Sequence, residues 1–251
     1  MPSVKYFNVV VRFGAVKAGM GNALKRAFRQ DDILAKVQPR RASVSSQLMH
    51  PGRMALFSRA TFRPCAGLRQ LARDAGMSAP VAARHLMRMS AVGLVSEVRA
   101  GKKFAIVPLQ MVEPADQARF SILSGDKPRQ AMRLVVRGAA PNQRTLAAKM
   151  RTYQQEAGAV LSKLVSADLL ERTERGREVR YAPSARFVSM AEAYEAREPA
   201  FRGRLLDALD RDGIAPRTKA RRGCTLMVEV DRGGGRAFVE LQTNPLYEIL
   251  R

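Results

Sequence analysis

Hydrophobic positions along the 251-residue chain switch between two periods, the 3.6-residue period of a helix face and the two-residue period of a half-buried strand. Val4, Tyr6, Val9, Val10, Val11 and Phe13 are β-branched or aromatic and predict a strand over 4–13. A glycine-rich turn then leads to a helix over about 22–37, and 38–51, with Pro39, Arg40, Arg41, Ser43, Ser45, Ser46 and Pro51, reads as a linker. The pattern over 53–108 predicts helix, helix, helix and β-hairpin; 109–126 reads as a connector, and 129–183 runs through the same order again. Beyond Pro183 the expectation is two helices, 186–198 and 200–212, broken at Pro199 and closed by Gly213. A hairpin of 225–230 and 236–241 around Asp231-Arg232-Gly233-Gly234-Gly235 ends the chain.

The repeated order has a register. Displaced by 75 positions, Leu71 falls on Leu146, Ala72 on Ala147, Ala82 on Ala157, Leu86 on Leu161, Leu94 on Leu169, Gly101 on Gly176 and Pro108 on Pro183. Met89/Leu164, Val95/Leu170, Arg88/Lys163 and Lys102/Arg177 are similar pairs. These matches occupy apolar helix sides, the helix-to-strand corner and the hairpin tip, which is where a duplicated unit is constrained. In the first copy Leu68, Leu71 and Ala72 face one side of a short helix ending near Gly76. Ser78 is placed as the next N-cap with Pro80 in the first turn, and Ala82, Leu86 and Met89 form a buried stripe. Gly93 ends that helix, and the chain folds back around Ala100-Gly101-Lys102-Lys103. Helix, turn, helix and a two-stranded wing describe a winged helix-turn-helix.

From Leu71-Ala72-Arg73-Asp74-Ala75-Gly76-Met77-Ser78 through Arg84-His85-Leu86 to Ala91-Val92-Gly93-Leu94-Val95, the first copy resembles ArsR/MarR-type winged-helix regulators over about 40 residues. The second copy departs from that pattern: Tyr153 stands in place of the capping serine, and Ala167-Asp168-Leu169-Leu170 replaces the glycine corner. The resemblance implies duplex-DNA binding. It does not extend to a metal sensor, because His50, His85, Cys65 and Cys224 cannot build the usual cluster.

Charge sharpens this picture. Lys and Arg number 44 against 22 Asp and Glu, a net +22, so a polyanion is the expected partner. Residues 1–73 contain fourteen basic side chains and only Asp31 and Asp32 as acids. Such a terminus also describes organellar transit peptides, but the most suggestive stretch, 56–63, lies too deep, and a phosphate-binding basic arm is preferred. No apolar run approaches a membrane span, so no membrane is expected as partner. Two cysteines and no secretory pattern favour a reducing compartment, cytoplasmic or nucleoid-associated, with a mitochondrial location as the alternative.

With the buried stripe assigned, the open side of the first copy's second helix presents Ser78, Val81, Arg84, His85 and Arg88 to a groove, and Arg99, Lys102 and Lys103 lie in the wing over flanking phosphates. His85 is expected at the groove edge or in solvent, with no catalytic role. The matching second-copy set is Gln154, Gln155, Ala159 and Lys163 with wing residues Arg172, Arg175, Arg177 and Arg180. The run Gly14-Ala15-Val16-Lys17-Ala18-Gly19-Met20-Gly21 sits between strand and helix but fails both phosphate-loop and dinucleotide fingerprints, since Met20, Gly21 and Leu24 stand where Lys, Ser/Thr and the third glycine belong. Glu192, Glu195 and Glu198 read as a solvated helix face. Phe201, Leu205 and Leu209 form a stripe that packs on the second copy or makes a homodimer contact, and Arg217, Lys219, Arg221 and Arg222 could track phosphates or belong to a degenerate third wing.

The expected protein is mainly α, of the α+β class. It comprises a basic N-terminal arm and linker (1–51), tandem winged-helix domains (52–110 and 127–185) and a C-terminal helix and β-hairpin extension (186–251). No catalytic motif, cofactor or metal site is expected. Duplex DNA is the favoured ligand, with transcriptional regulation as the simplest role and plasmid replication initiators as an architectural parallel. Structured RNA in a ribonucleoprotein such as an organellar ribosome is the alternative.

Overall fold

The computed structural model describes residues 48, 50–100, 103–176, 178–212, 214, 217–231 and 236–251. The strand expected over 4–13, the glycine run at 14–21, the helix over 22–37, most of the linker, Gly101, Lys102, Arg177, Gly213 and the C-terminal hairpin's glycine turn lie outside the described residues, as do the side chains of Lys103, Arg175, Arg217, Lys219, Arg221 and Arg222.

The first copy folds as α1 (Pro51–Phe62), α2 (Leu68–Asp74), α3 (Ala79–Ala91) and the strands β1 (Val95–Ala100) and β2 (Lys103–Pro108). A 3-10 turn (Pro114–Asp116) and α4 (Gln117–Leu123) follow, so the expected connector at 109–126 contains a helix. Buried Phe120 and Leu123 explain it, because a three-residue apolar spacing in a short segment gives a helix a core side that linker composition obscures. The second copy is α5 (Asp126–Val136), α6 (Gln143–Met150), α7 (Gln154–Ser166), β3 (Leu170–Arg175) and β4 (Glu178–Pro183).

The 75-residue register runs through each of these elements. Both hairpins are antiparallel, and Val95↔Pro108 in one is matched by Leu170↔Pro183 in the other. Corner hydrogen bonds repeat as well: Met77 N–H to the Ala72 carbonyl and Thr152 N–H to Ala147, Leu94 N–H to Met89 and Leu169 N–H to Leu164, Ile106 N–H to Ala66 and Tyr181 N–H to Pro141. The glycine corner of the first copy, Gly93 at φ 76°, becomes Asp168 at φ 56°. Asp tolerates the left-handed region better than most side chains, so the same corner survives without glycine. Ser78 occupies the N-cap of α3, but its side chain makes no capping bond; Pro80 in the first turn pre-sets the helix instead.

The remaining chain forms α8 (Ala185–Arg211), a three-stranded antiparallel sheet of β5 (Arg217–Arg222), β6 (Thr225–Asp231) and β7 (Arg236–Gln242), and α9 (Tyr247–Leu250). Two expectations change here. The helix does not break at Pro199. Proline removes the amide that would bond the Glu195 carbonyl, at about 3 kcal/mol. However, Phe187, Met190, Tyr194, Phe201, Leu205 and Ala208 continue one buried stripe across it, the large side chains each contributing about 2 kcal/mol. Pro199 itself faces solvent. Also, the basic run 217–222 is an edge strand paired to β6, which makes the terminal hairpin a three-stranded sheet.

The extension packs on the first copy rather than the second at its sheet end. Leu48, Met54 and Phe57 meet Leu209, Ile214, Val228, Val239 and Leu241. Side chains of α1 cover the free edge of β7: Ser58 Oγ donates to the Glu240 carbonyl (2.6 Å), and Thr61 Oγ1 accepts from Gln242 N–H (3.1 Å). The second copy is held through Arg129, which donates to Glu248 of α9 (3.0 Å). Glu198 is buried rather than solvated, accepting from Thr243 Oγ1 (2.6 Å) and Arg202. Cys65 is buried, which pushes its thiol up to about 12, and Cys224 is half-buried. Among the described residues no helix is long and apolar enough to cross a membrane.

Gly223 turns β5 into β6 at φ 60°, and a Cβ there would overlap the Tyr247 ring. Gly223→Ala should therefore lose about 3 kcal/mol, the left-handed penalty plus overpacking. Gly176→Ala, at φ 61° with open space around it, should lose only the first part, about 1–2 kcal/mol. Chemical denaturation of both variants checks this, and equal losses would refute the steric account.

Candidate nucleic-acid interface

The buried stripe Ala82, Leu86 and Met89 fixes how α3 lies on the first copy and therefore which side chains face outward. Ser78, Arg84 and Arg88 are exposed, Val81 and His85 are half-buried, and Arg99 is exposed on β1. The helix carries two arginines and no acid. Among the described residues no carboxylate lies within ion-pair distance of Arg84, Arg88 or Arg99.

His85 is not the groove-edge or solvent residue expected from its position. Its ring stacks on His50 with centroids 4.6 Å apart and planes tilted by 44°. His50 in turn caps α1, accepting from Gly52 N–H through Nδ1 (3.0 Å). A Cβ on residue 52 would come within 3.0 Å of His85 Nε2, so the glycine leaves room for the imidazole. Burial depresses the His85 pKa, and His50, Arg53, Arg88 and Arg84 depress it further by charge repulsion. Arg53, buried in the first turn of α1, is lowered by desolvation and by Arg88, while Asp212 at the end of α8 acts in the opposite sense. Asp212 also accepts from Leu48 N–H (2.7 Å). Linker composition hid His50, and Arg53, at the start of the first predicted helix, carries no motif that marks it as a site residue. The available signal was His50-Pro51, an N-cap and N1 pair opening an apolar helix.

The second copy places Gln154, Gln155, Ala159 and Lys163 outward on α7, but several of its charges are paired within it. Glu156 in the first turn of α7 accepts from Lys127 and Thr152, which holds its carboxyl below the usual range. Gln143 donates to the Gln154 carbonyl (2.8 Å). In the hairpin, Arg172 pairs with Glu174 and Arg180 with Glu178 (3.0 Å). Tyr153, at the N-cap of α7, is 86% exposed. With Glu156 against Lys163, α7 carries no net charge where α3 carries +2.

Hydrogen bonds made to and from the α4 region tie the copies together. Arg63 bonds Asp126 and the Ser124 carbonyl (3.2 Å), Gln70 donates to the same carbonyl, and Arg119 Nε donates to Ala167 at the end of α7 (3.1 Å). Buried Asp116 accepts from Arg186 (2.9 Å) and Tyr194 (3.3 Å) of α8. Among the described residues no three His, Cys, Asp or Glu side chains gather as a metal site. No family model matches the chain, and no curated protein matches it.

Proposed function

We propose that this protein is a binding protein for nucleic acid rather than an enzyme, that its two copies are tandem winged helix-turn-helix domains, and that the first carries the contact with duplex DNA. One observation supports this above others: α3 presents Arg84 and Arg88 on an outward face clear of acids, and Arg99 is likewise exposed on the hairpin. A helix of that width fits a major groove, where arginine forks meet guanine edges or phosphates, and the hairpin then lies over the flanking backbone. The second copy, with Arg172 and Arg180 paired to glutamates of their own hairpin, contributes shape and the amides Gln154 and Gln155 more than net charge. Transcriptional regulation is the simplest role for such a protein, in the cytoplasm or nucleoid. An architecture like that of plasmid replication initiators would serve equally.

The basic excess of residues 1–73 favours a second reading, a structural component of a ribonucleoprotein, in which case a mitochondrial location follows. Salt-titrated binding of a duplex library and of structured RNA separates the two. The DNA reading expects a selected duplex to outcompete RNA, with log affinity falling against log salt at a slope of about −3 or steeper, near 0.9 per phosphate engaged. RNA binding as tight as the best duplex, with no duplex sequence enriched, would overturn it.

A further inference from the structure

In 251 residues there are two histidines, and histidine is the side chain that titrates near neutrality. The two stand 35 positions apart in sequence, yet they stack on each other within the influence of Arg53, Arg84 and Arg88. Among the described residues, four charged groups act on this cluster. Arg84 and Arg88 come from α3, Arg53 from α1, and Asp212 from the end of α8, where it acts on Arg53. The first amides of α1 are already used, Gly52 N–H by His50 Nδ1 and those of Arg53 and Met54 by the His50 carbonyl. What the cluster offers a ligand is therefore its side chains.

Resting on the nucleic-acid reading above, we propose that a backbone phosphate seats on His50, Arg84, His85 and Arg88, and that His85 takes up one proton from solution as it binds. No covalent bond is made; the phosphodiester keeps its single negative charge, and the imidazole changes from neutral to cationic. The physical reason is mutual repulsion. In the free protein a proton on His85 faces three guanidinium groups in a half-buried site, which disfavours it. A phosphate against the same groups cancels that repulsion and favours the imidazolium. Because the bound state holds more protons, affinity rises as pH falls through the window between the depressed free value and the higher bound value.

The test is binding of a fluorescent mixed-sequence duplex to the full chain at constant ionic strength, from about pH 8 down to about pH 5.5, the range in which histidine titrates. Wild type should gain about tenfold in affinity over that range, the equivalent of one pKa unit of coupling. His85→Gln should lose the gain and stay at or below the wild-type affinity measured at the alkaline end. His50→Gln, which keeps an acceptor for Gly52 N–H, should bind more weakly. Titration calorimetry of wild type in buffers of different ionisation enthalpy should show proton uptake, which keeps the proposal testable should His85→Gln not fold. A pH-independent wild type, zero proton uptake, or a slope that survives His85→Gln would each overturn the proposal. A wild type that binds no duplex at any pH would instead overturn the nucleic-acid reading beneath it.

Discussion

Replacing Arg84 and Arg88 together by alanine should lower duplex affinity by about 100-fold and flatten the salt slope by nearly two. Each arginine of α3 that reaches a guanine edge or phosphate is worth about 1–3 kcal/mol, and each phosphate neutralised releases about 0.9 counterion. Both side chains are exposed, so the fold should change by no more than about 0.5 kcal/mol, and the loss can be read as binding. The matched control is Arg172→Ala/Arg180→Ala on the second hairpin. It removes the same formal charge, but from groups already paired with Glu174 and Glu178. Its expected cost is below about fivefold, because screened charges outside direct contact contribute little. Anisotropy titrations of the three proteins at several salt concentrations decide the matter. Equal losses from both double variants would mean that binding follows net charge alone, and the assignment of the contact to α3 would fail.

Phe57→Ala should be the most destabilising single truncation in the sheet-bearing half, by about 3–5 kcal/mol, the usual cost of emptying a buried phenylalanine. Phe57 is 1% exposed and stands where three segments meet: α1 of the first copy, the end of α8 through Leu209 and Ile214, and the sheet through Val228, Val239 and Leu241. None of these segments can close over the space without moving the others, so little relaxation is expected. For a unit of this size the melting temperature should fall by about 10 °C. Phe238→Ala offers the contrast: its ring is 58% exposed on β7, and its loss should cost under about 0.5 kcal/mol. Thermal melts by circular dichroism would reveal the difference, and a Phe57→Ala melt within about 2 °C of wild type would contradict this packing.

Much of the fold is legible in the order of residues alone. Leu71, Ala82, Leu86 and Leu94, matched 75 positions on by Leu146, Ala157, Leu161 and Leu169, are all buried. A helix stripe is a local property, so periodicity reports it directly. The outward placement of Ser78, Arg84, Arg88, Gln154, Gln155 and Lys163 follows by subtraction, since what does not face the core faces solvent. Composition also carries the sign of the expected partner, because net charge is a sum and needs no fold.

Tertiary structure decides the rest, wherever a residue's environment comes from chain far away in sequence. Proline statistics end a helix at Pro199 that Phe201, Leu205 and Ala208 carry onward, because burial of a continuous stripe outweighs one lost hydrogen bond. Glu198 reads as solvated by its spacing and is buried against Thr243. The basic run 217–222 becomes a strand because Thr225–Asp231 offers it a ladder. Arg172 and Arg180 count as free hairpin cations when read along the chain, yet each is paired with a glutamate of its own hairpin. His50 has the composition of a linker around it, and α1 brings it onto His85. Position along a helix or strand is set by neighbours in sequence and can be read from it. The charge, burial and proton affinity of a side chain are set by neighbours in space, and only the folded chain brings those together.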